Sequence, residues 1–220
     1  MLWEISSMGY TQQAEALLRE WVSSEQLRKH CLAVAASMHH FAERYGEDVD
    51  LWRAVGILHD LDYERYPMMP DAGALATASA RLIVDTMPDA APLMMHPYVG
   101  TTMLRRAGWS TDVCRAILSH ADYTGIERQT ALERTLAAVD ELSSFIIAVA
   151  MVRPNRSIHE VDAPAVRRKM KDKAFARAVS REDIVRGAEL LDLELDALIT
   201  EVIAALRADA VRLGVDGTGA

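Results

Sequence analysis

The sequence predicts an all-α globular protein of about nine helices, and three observations carry that reading. Apolar residues recur at three- and four-residue spacing along nearly the whole chain. No stretch of useful length alternates apolar and polar as a strand would, and helix-capping patterns punctuate the periodic segments. A length of 220 residues suits one compact core with an appendage. Apolar residues at 50% and charged residues at 25% exclude disordered and fibrous classes.

The elements follow in order. Ala14, Leu17, Leu18, Trp21 and Val22 share a face over residues 11–22, and Ser23 with Gln26 has the capping-box spacing that restarts the chain as a second helix. That helix runs to about Tyr45 and stops at Gly46. Asp48 or Asp50 caps a third, carrying Trp52, Val55 and Leu58, which must finish before Pro67 because the residue preceding proline avoids helical angles. A Pro/Met/Gly loop leads to a helical stretch from Asp71 to Met87, then Pro97 to Arg106 with Gly108 beyond, then Ser110 to Ala121. A long helix from about Glu127 to Met151 opens on Thr130 and Glu133, again in capping-box spacing. After Arg153-Pro154, Pro164 begins a short helix, Ser180 with Asp183 begins another, and a last helix spans Leu195 to Leu213. The expected organisation is an N-terminal helix (1–24), a helical core (25–152), a C-terminal helical extension with a basic segment (153–213) and a frayed tail (214–220).

Composition narrows the function. The longest apolar run, Phe145 to Val152, is eight residues, whereas a bilayer span needs about twenty. Met1-Leu2-Trp3-Glu4 begins no basic export signal, so a cytoplasmic, non-membrane protein is expected. Cys31 and Cys114 lie in apolar helical segments and read as reduced core thiols. A net charge of −8 disfavours bulk nucleic-acid binding. The charge is uneven, however: residues 153–181 carry nine basic groups against Glu160, Asp162 and Asp172, so that segment is +6 and the remainder −14. A local cationic region suits a small anionic substrate, and a solvated basic helix looks the same in sequence. A homodimer is compatible with everything in the sequence.

Four segments put a metal-capable side chain where periodicity demands an apolar one. His30 falls on the stripe of Leu27, Cys31, Val34, Met38 and Phe41, whereas His39 points about half a turn away. His59-Asp60 follows Ala54-Val55-Gly56-Ile57-Leu58 without a break. His120 shares a face with Val113 and Ile117, and Asp140 shares one with Leu132, Leu136, Ser143 and Ile147. A lone histidine of this kind is usually a hydrogen-bonded core imidazole. Aspartates are harder to excuse, because a carboxylate buried without a partner costs several kcal/mol. A divalent metal of borderline hardness answers all four anomalies together.

With His30, His59, Asp60 and Asp140 read as ligands, the sequence resembles the HD-domain superfamily of metal-dependent phosphohydrolases over roughly residues 25–150. The local wording Gly56-Ile57-Leu58-His59-Asp60-Leu61-Asp62-Tyr63-Glu64 is similar to a bacterial hydrolase subgroup, as are Arg153-Pro154 and the Lys-rich stretch from Lys169 to Ala176. In binuclear members two more histidines lie between the dyad and the last aspartate, and His96 and His120 occupy that interval. The resemblance then implies two ions, with Asp60 bridging from one set to His96 and His120. A capping role for His96, which precedes Pro97, is the alternative. The implied ions are Fe, Mn, Co or Zn, with Mg as a harder option. The implied chemistry is hydrolysis of a small phosphorylated metabolite or nucleotide by metal-activated hydroxide, with Asp60 and Asp62 as catalytic carboxylates and Glu64 as an exposed turn residue. Lys169 and Lys173, four apart, are the expected phosphate partners; Arg153, about 20 Å along the helix from Asp140, suits anchoring better. Rival readings are a diiron oxygenase on the same ligand set and a non-catalytic, metal-stabilised ligand sensor.

Overall fold

The computed structural model describes residues 8–67 and 94–218. Among the described residues the chain is all-α: ten helices and two 3₁₀ turns, with an isolated antiparallel bridge between Ser157 and Asp216. The helices are α1 (Tyr10–Trp21), α2 (Glu25–Tyr45), α3 (Val49–Leu58), α4 (Tyr98–Arg106), α5 (Thr111–His120), α6 (Ala131–Met151), α7 (Ala163–Met170), α8 (Arg181–Leu190), α9 (Leu195–Ala208) and α10 (Ala210–Leu213). The expected helix from Asp71 to Met87 lies outside the described residues.

Two helices of 21 residues, α2 and α6, form the middle of the molecule. Around them α3 packs on α2, α1 covers α3, α5 and α8 flank α6, and α9 lies across both. One continuous apolar core includes Val34, Met38 and Phe41 of α2, Val55 and Ile57 of α3, Leu136, Leu142 and Phe145 of α6, and Leu198, Val202 and Leu206 of α9. Cys31 and Cys114 are buried and unbridged, as expected of packing thiols. Gly56 sets the α2–α3 spacing: a Cβ there would stand 2.6 Å from the Cα of Ala35. Only glycine permits that approach, which draws the end of α3 against the flank of α2.

Local chemistry fixes the helix ends, with some differences from the sequence expectation. Ser24, not Ser23, caps α2, accepting from the Leu27 amide at 3.2 Å. Asp48 caps α3, and Asp50 instead accepts from the Tyr10 and Thr11 amides, thereby closing the N-terminus of α1 from a neighbouring helix. The Thr130–Glu133 capping box forms, and α6 begins at Ala131, not near Glu127, because Thr130 as the N-cap is itself extended. The last helix breaks at Asp209 into α9 and α10. The expected fraying after Leu213 is not found as far as Thr218: Val215 is buried, its carbonyl accepting from the Ile158 amide at 2.7 Å.

Candidate metal centre

Five elements deliver polar side chains to one point. His30 lies in the first half of α2, His59 and Asp60 in the turn that ends α3, His96 just before α4, His120 in the last turn of α5, and Asp140 in the middle of α6. His30 Nε2 stands 3.2 Å from an oxygen of Asp60 and 3.2 Å from one of Asp140. His59 Nε2 lies 3.6 and 3.5 Å from the same two oxygens. The other oxygen of Asp60 faces His96 Nε2 at 3.3 Å and His120 Nε2 at 3.7 Å. Asp60 therefore divides its carboxylate between two groups: His30, His59 and Asp140 on one side, His96 and His120 on the other. In each of the sets His30, His59, Asp60 and Asp60, His96, His120, the donor atoms lie within 4.8 Å of one another, close enough to hold an ion.

Which ring nitrogen is free follows from what the other one touches. His59 Nδ1 lies 2.8 Å from the Gly56 carbonyl, His120 Nδ1 against the Ile117 carbonyl, and His96 Nδ1 2.7 Å from Asp62 Oδ1. Each of these oxygens only accepts, so each Nδ1 donates and, in a neutral ring, leaves a bare Nε2 lone pair pointing inward. Those lone pairs face carboxylate oxygens and one another: His30 and His59 Nε2 are 2.9 Å apart, and His96 and His120 Nε2 are 3.3 Å apart. Electron-rich atoms at these separations repel unless a cation lies between them. The Nδ1 contacts are of the kind that orient metal-ligating histidines.

The electrostatics point the same way. Burial opposes a charged His30, but Asp140 and Asp60 outweigh it and push its pKa up to about 10, so without metal the site recruits a proton. Burial would raise the Asp60 and Asp140 carboxyls, yet the surrounding histidines hold both below the usual carboxylate range. Imidazole and carboxylate donors with inward lone pairs fit divalent ions of borderline hardness.

Asp62, expected as a catalytic carboxylate, is buried behind the ligands instead. Its two oxygens accept from His96 Nδ1 and, at 2.6 Å, from the Gly100 amide. A Cβ on Gly100 would come within 3.0 Å of that carboxyl. His96 is thus held by Asp62, and its carbonyl accepts from Tyr123 Oη at 2.9 Å; it caps no helix, since Pro97 occupies that position of α4. Glu64 is exposed, as expected, but accepts from the Ser23 and Ser24 amides, tying the turn after α3 to the start of α2. His39, half-buried on the other side of α2, stands apart with Glu43.

A cleft of about 1520 Å³ opens onto this cluster. Arg153, Lys169 and Lys173 do not line it. Helix α7 ends at Met170, so Lys173 falls in the following turn and shares no helix face with Lys169, whose ammonium sits 4.6 Å over the Phe175 ring. The basic side chains on the wall are Lys29, Arg128, Arg177 and Arg186. Arg128 also braces the last turn of α5, donating to the Ser119 carbonyl at 2.8 Å and the His120 carbonyl at 2.9 Å. Sequence reasoning missed Arg128 because its partners are backbone carbonyls, which leave no pattern. It also missed Ser144, whose hydroxyl lies 2.6 Å from His30 Nδ1, although Ser144 follows Asp140 by one helical turn.

A family model describes residues 27–144, more than half of the chain, and the protein belongs to the HD domain family. Members of that family are in general metal-dependent phosphohydrolases. Searches of curated proteins and of solved structures found no match.

Proposed function

We propose that the protein is a metal-dependent phosphohydrolase acting on a small phosphorylated substrate, with two divalent ions side by side in the cleft. The observation that carries this reading is the divided carboxylate of Asp60, with one oxygen turned to His30 and His59 and the other to His96 and His120. His30, His59, Asp60 and Asp140 would hold one ion, and Asp60, His96 and His120 the second. When bound, such ions acidify a coordinated water and neutralise charge on a phosphoryl group.

The protein's own residues define the remaining roles. Asp62 keeps a proton on His96 Nδ1, and the Gly56 and Ile117 carbonyls do the same for His59 and His120, so the Nε2 atoms stay available. Seven carboxylates against four basic side chains and the protonated His30 leave the bare wall net negative, which would repel phosphate. Two divalent ions reverse that sign. Arg128, which donates to the His120 carbonyl, and Arg186, on the same cleft wall, are both paired with Asp122 and would orient phosphate oxygens.

The test is one preparation of metal-loaded protein assayed for phosphate release from a panel of phosphomonoesters and for oxygen consumption. Phosphate release that vanishes on chelation is expected. Oxygen uptake without phosphate release would replace the proposal by oxygenase chemistry, and neither activity with metal retained would favour a sensor.

A further inference from the structure

The cleft is polarised along its length. Every imidazole and carboxylate of the cluster lies at one end. From there α6 presents Asp140, Ser144, Ile147, Ala148 and Met151 to the cleft, positions spaced by three and four that form one stripe on the helix surface. From Asp140 to Met151 the stripe runs about 16 Å at 1.5 Å per residue. Beyond Ser144 it is wholly apolar, and it ends at Met151 and Val152, which are 42% and 56% exposed. The facing wall is the segment before α8, contributing Phe175, Ala176, Ala178 and Val179.

That facing wall is built to hold its shape. The Arg181 guanidinium donates to the carbonyls of Ala176 at 2.7 Å and Val179 at 2.6 Å, as well as to those of Asp172 and Phe175, while lying 4.6 Å over the Phe145 ring. Phe175 is held in place from two sides: its ring and that of Phe145 meet at right angles with centroids 5.5 Å apart, and the Lys169 ammonium lies 4.6 Å over it. Of the lining residues between Ile147 and Val179 in sequence one is polar, Arg177, and Glu141 stands beside this wall, accepting from the Ser180 amide at 3.1 Å.

Resting on the phosphohydrolase reading above, we propose that the substrate is amphiphilic: a phosphate monoester of an aliphatic alcohol, with its phosphate at the Asp60 cluster and its chain lying in the trough along the second half of α6. The trough is continuous with the cluster, so a single molecule can fill both, and the cleft exceeds the volume of roughly 300–1,000 Å³ usual for a compact small ligand. Each methylene taken from water favours binding by a factor of roughly four where burial is complete.

The experiment compares methyl, butyl and octyl phosphate as substrates, and the matching alkylphosphonates as ligands by calorimetry, on the metal-loaded full-length protein. The expected result is a kcat/KM that climbs with chain length, by roughly two- to fourfold per methylene over the first several carbons. The octyl-to-methyl ratio should collapse in Met151→Glu and in Ala148→Leu, and persist in Val211→Glu, whose site is 79% exposed and outside the cleft. Equal kcat/KM for methyl and octyl phosphate would overturn the trough while leaving the phosphohydrolase intact. Octylphosphonate binding far more tightly than methylphosphonate, with no ester hydrolysed, would support the trough and overturn the phosphohydrolase. A Met151→Glu variant that alters only oligomeric state would assign the trough to a second copy of the chain and reject the inference.

Discussion

Asp62 shows how one buried carboxylate can set the chemistry of a neighbour. It receives two N–H donors, from His96 and Gly100, and both need a protein acceptor because Asp62 and His96 are buried. Asp62→Asn leaves an amide NH₂ facing one of those donors. The variant should lose about 1–3 kcal/mol of stability and retain less metal on the His96–His120 side, while the His30–His59 side keeps its own. Thermal unfolding and metal analysis of the same sample check this, and unchanged metal content would reduce Asp62 to a packing role. His39→Ala, on the outward face of α2, should alter neither measurement. His30, His59, Asp60, His120 and Asp140 were legible in the sequence because each falls in or directly ends an apolar stripe; His96, which precedes Pro97 and interrupts no stripe, came from the family resemblance alone. Arg128 and Ser144 were not, since polar residues that serve a backbone carbonyl or a second side chain disturb no period.

Helix α3 approaches α2 as closely as its backbone allows, and the metal cluster inherits that spacing. Gly56→Ala forces a methyl into the backbone of Ala35, so α3 must shift, carrying His59 away from His30. Overpacking of this kind costs about 1–3 kcal/mol and should lower both the unfolding temperature and the affinity of the ion held between those two histidines. A variant that melts and binds metal like wild type would show that the contact relaxes without moving His59. A second contact between helices is electrostatic. Glu201 of α9 accepts from His40 of α2 at 2.7 Å and pairs with Arg44, and the His40 hydrogen bond, together with the Arg44 charge, holds its carboxyl below the usual range. A depressed carboxylate pKa stabilises the fold above the unfolded value of about 4.3 and loses that contribution as pH falls through the folded value. Glu201→Gln should therefore cost up to about 1 kcal/mol at neutral pH, given its partial exposure, and the gap to wild type should close below about pH 4. A gap that is constant with pH would remove the ionic account. Helix starts were readable at Thr130 and Ser180, where the cap and its partner lie in one segment. The Asp50 contact with α1 was not, because it joins residues 40 apart.

Across the described residues, five chain segments converge on Asp60 and set its carboxylate and that of Asp140 among four imidazoles. Removing metal should leave His30 to take up a proton in its place, so the chelated protein is expected to stay folded but melt several degrees lower. A melting temperature unchanged by chelation would mean that the protonated cluster satisfies itself. The all-α class and the ordered set of histidines and aspartates were legible before any geometry, since both are one-dimensional patterns. The cleft was not: its basic wall comes from Lys29, Arg128, Arg177 and Arg186, residues scattered over four segments, and of the conspicuous basic segment 153–181 Arg177 alone lines it, while Lys169 packs on Phe175. Among the described residues no helix is long and apolar enough to cross a membrane.

The divided carboxylate of Asp60 is tested most directly by counting transition ions per chain in native, unchelated protein by mass spectrometry, for wild type and His96→Ala side by side. Two sets of inward nitrogen donors sharing Asp60 predict about two ions in wild type and about one in His96→Ala. One ion in wild type, unchanged by His96→Ala, would contradict the binuclear account.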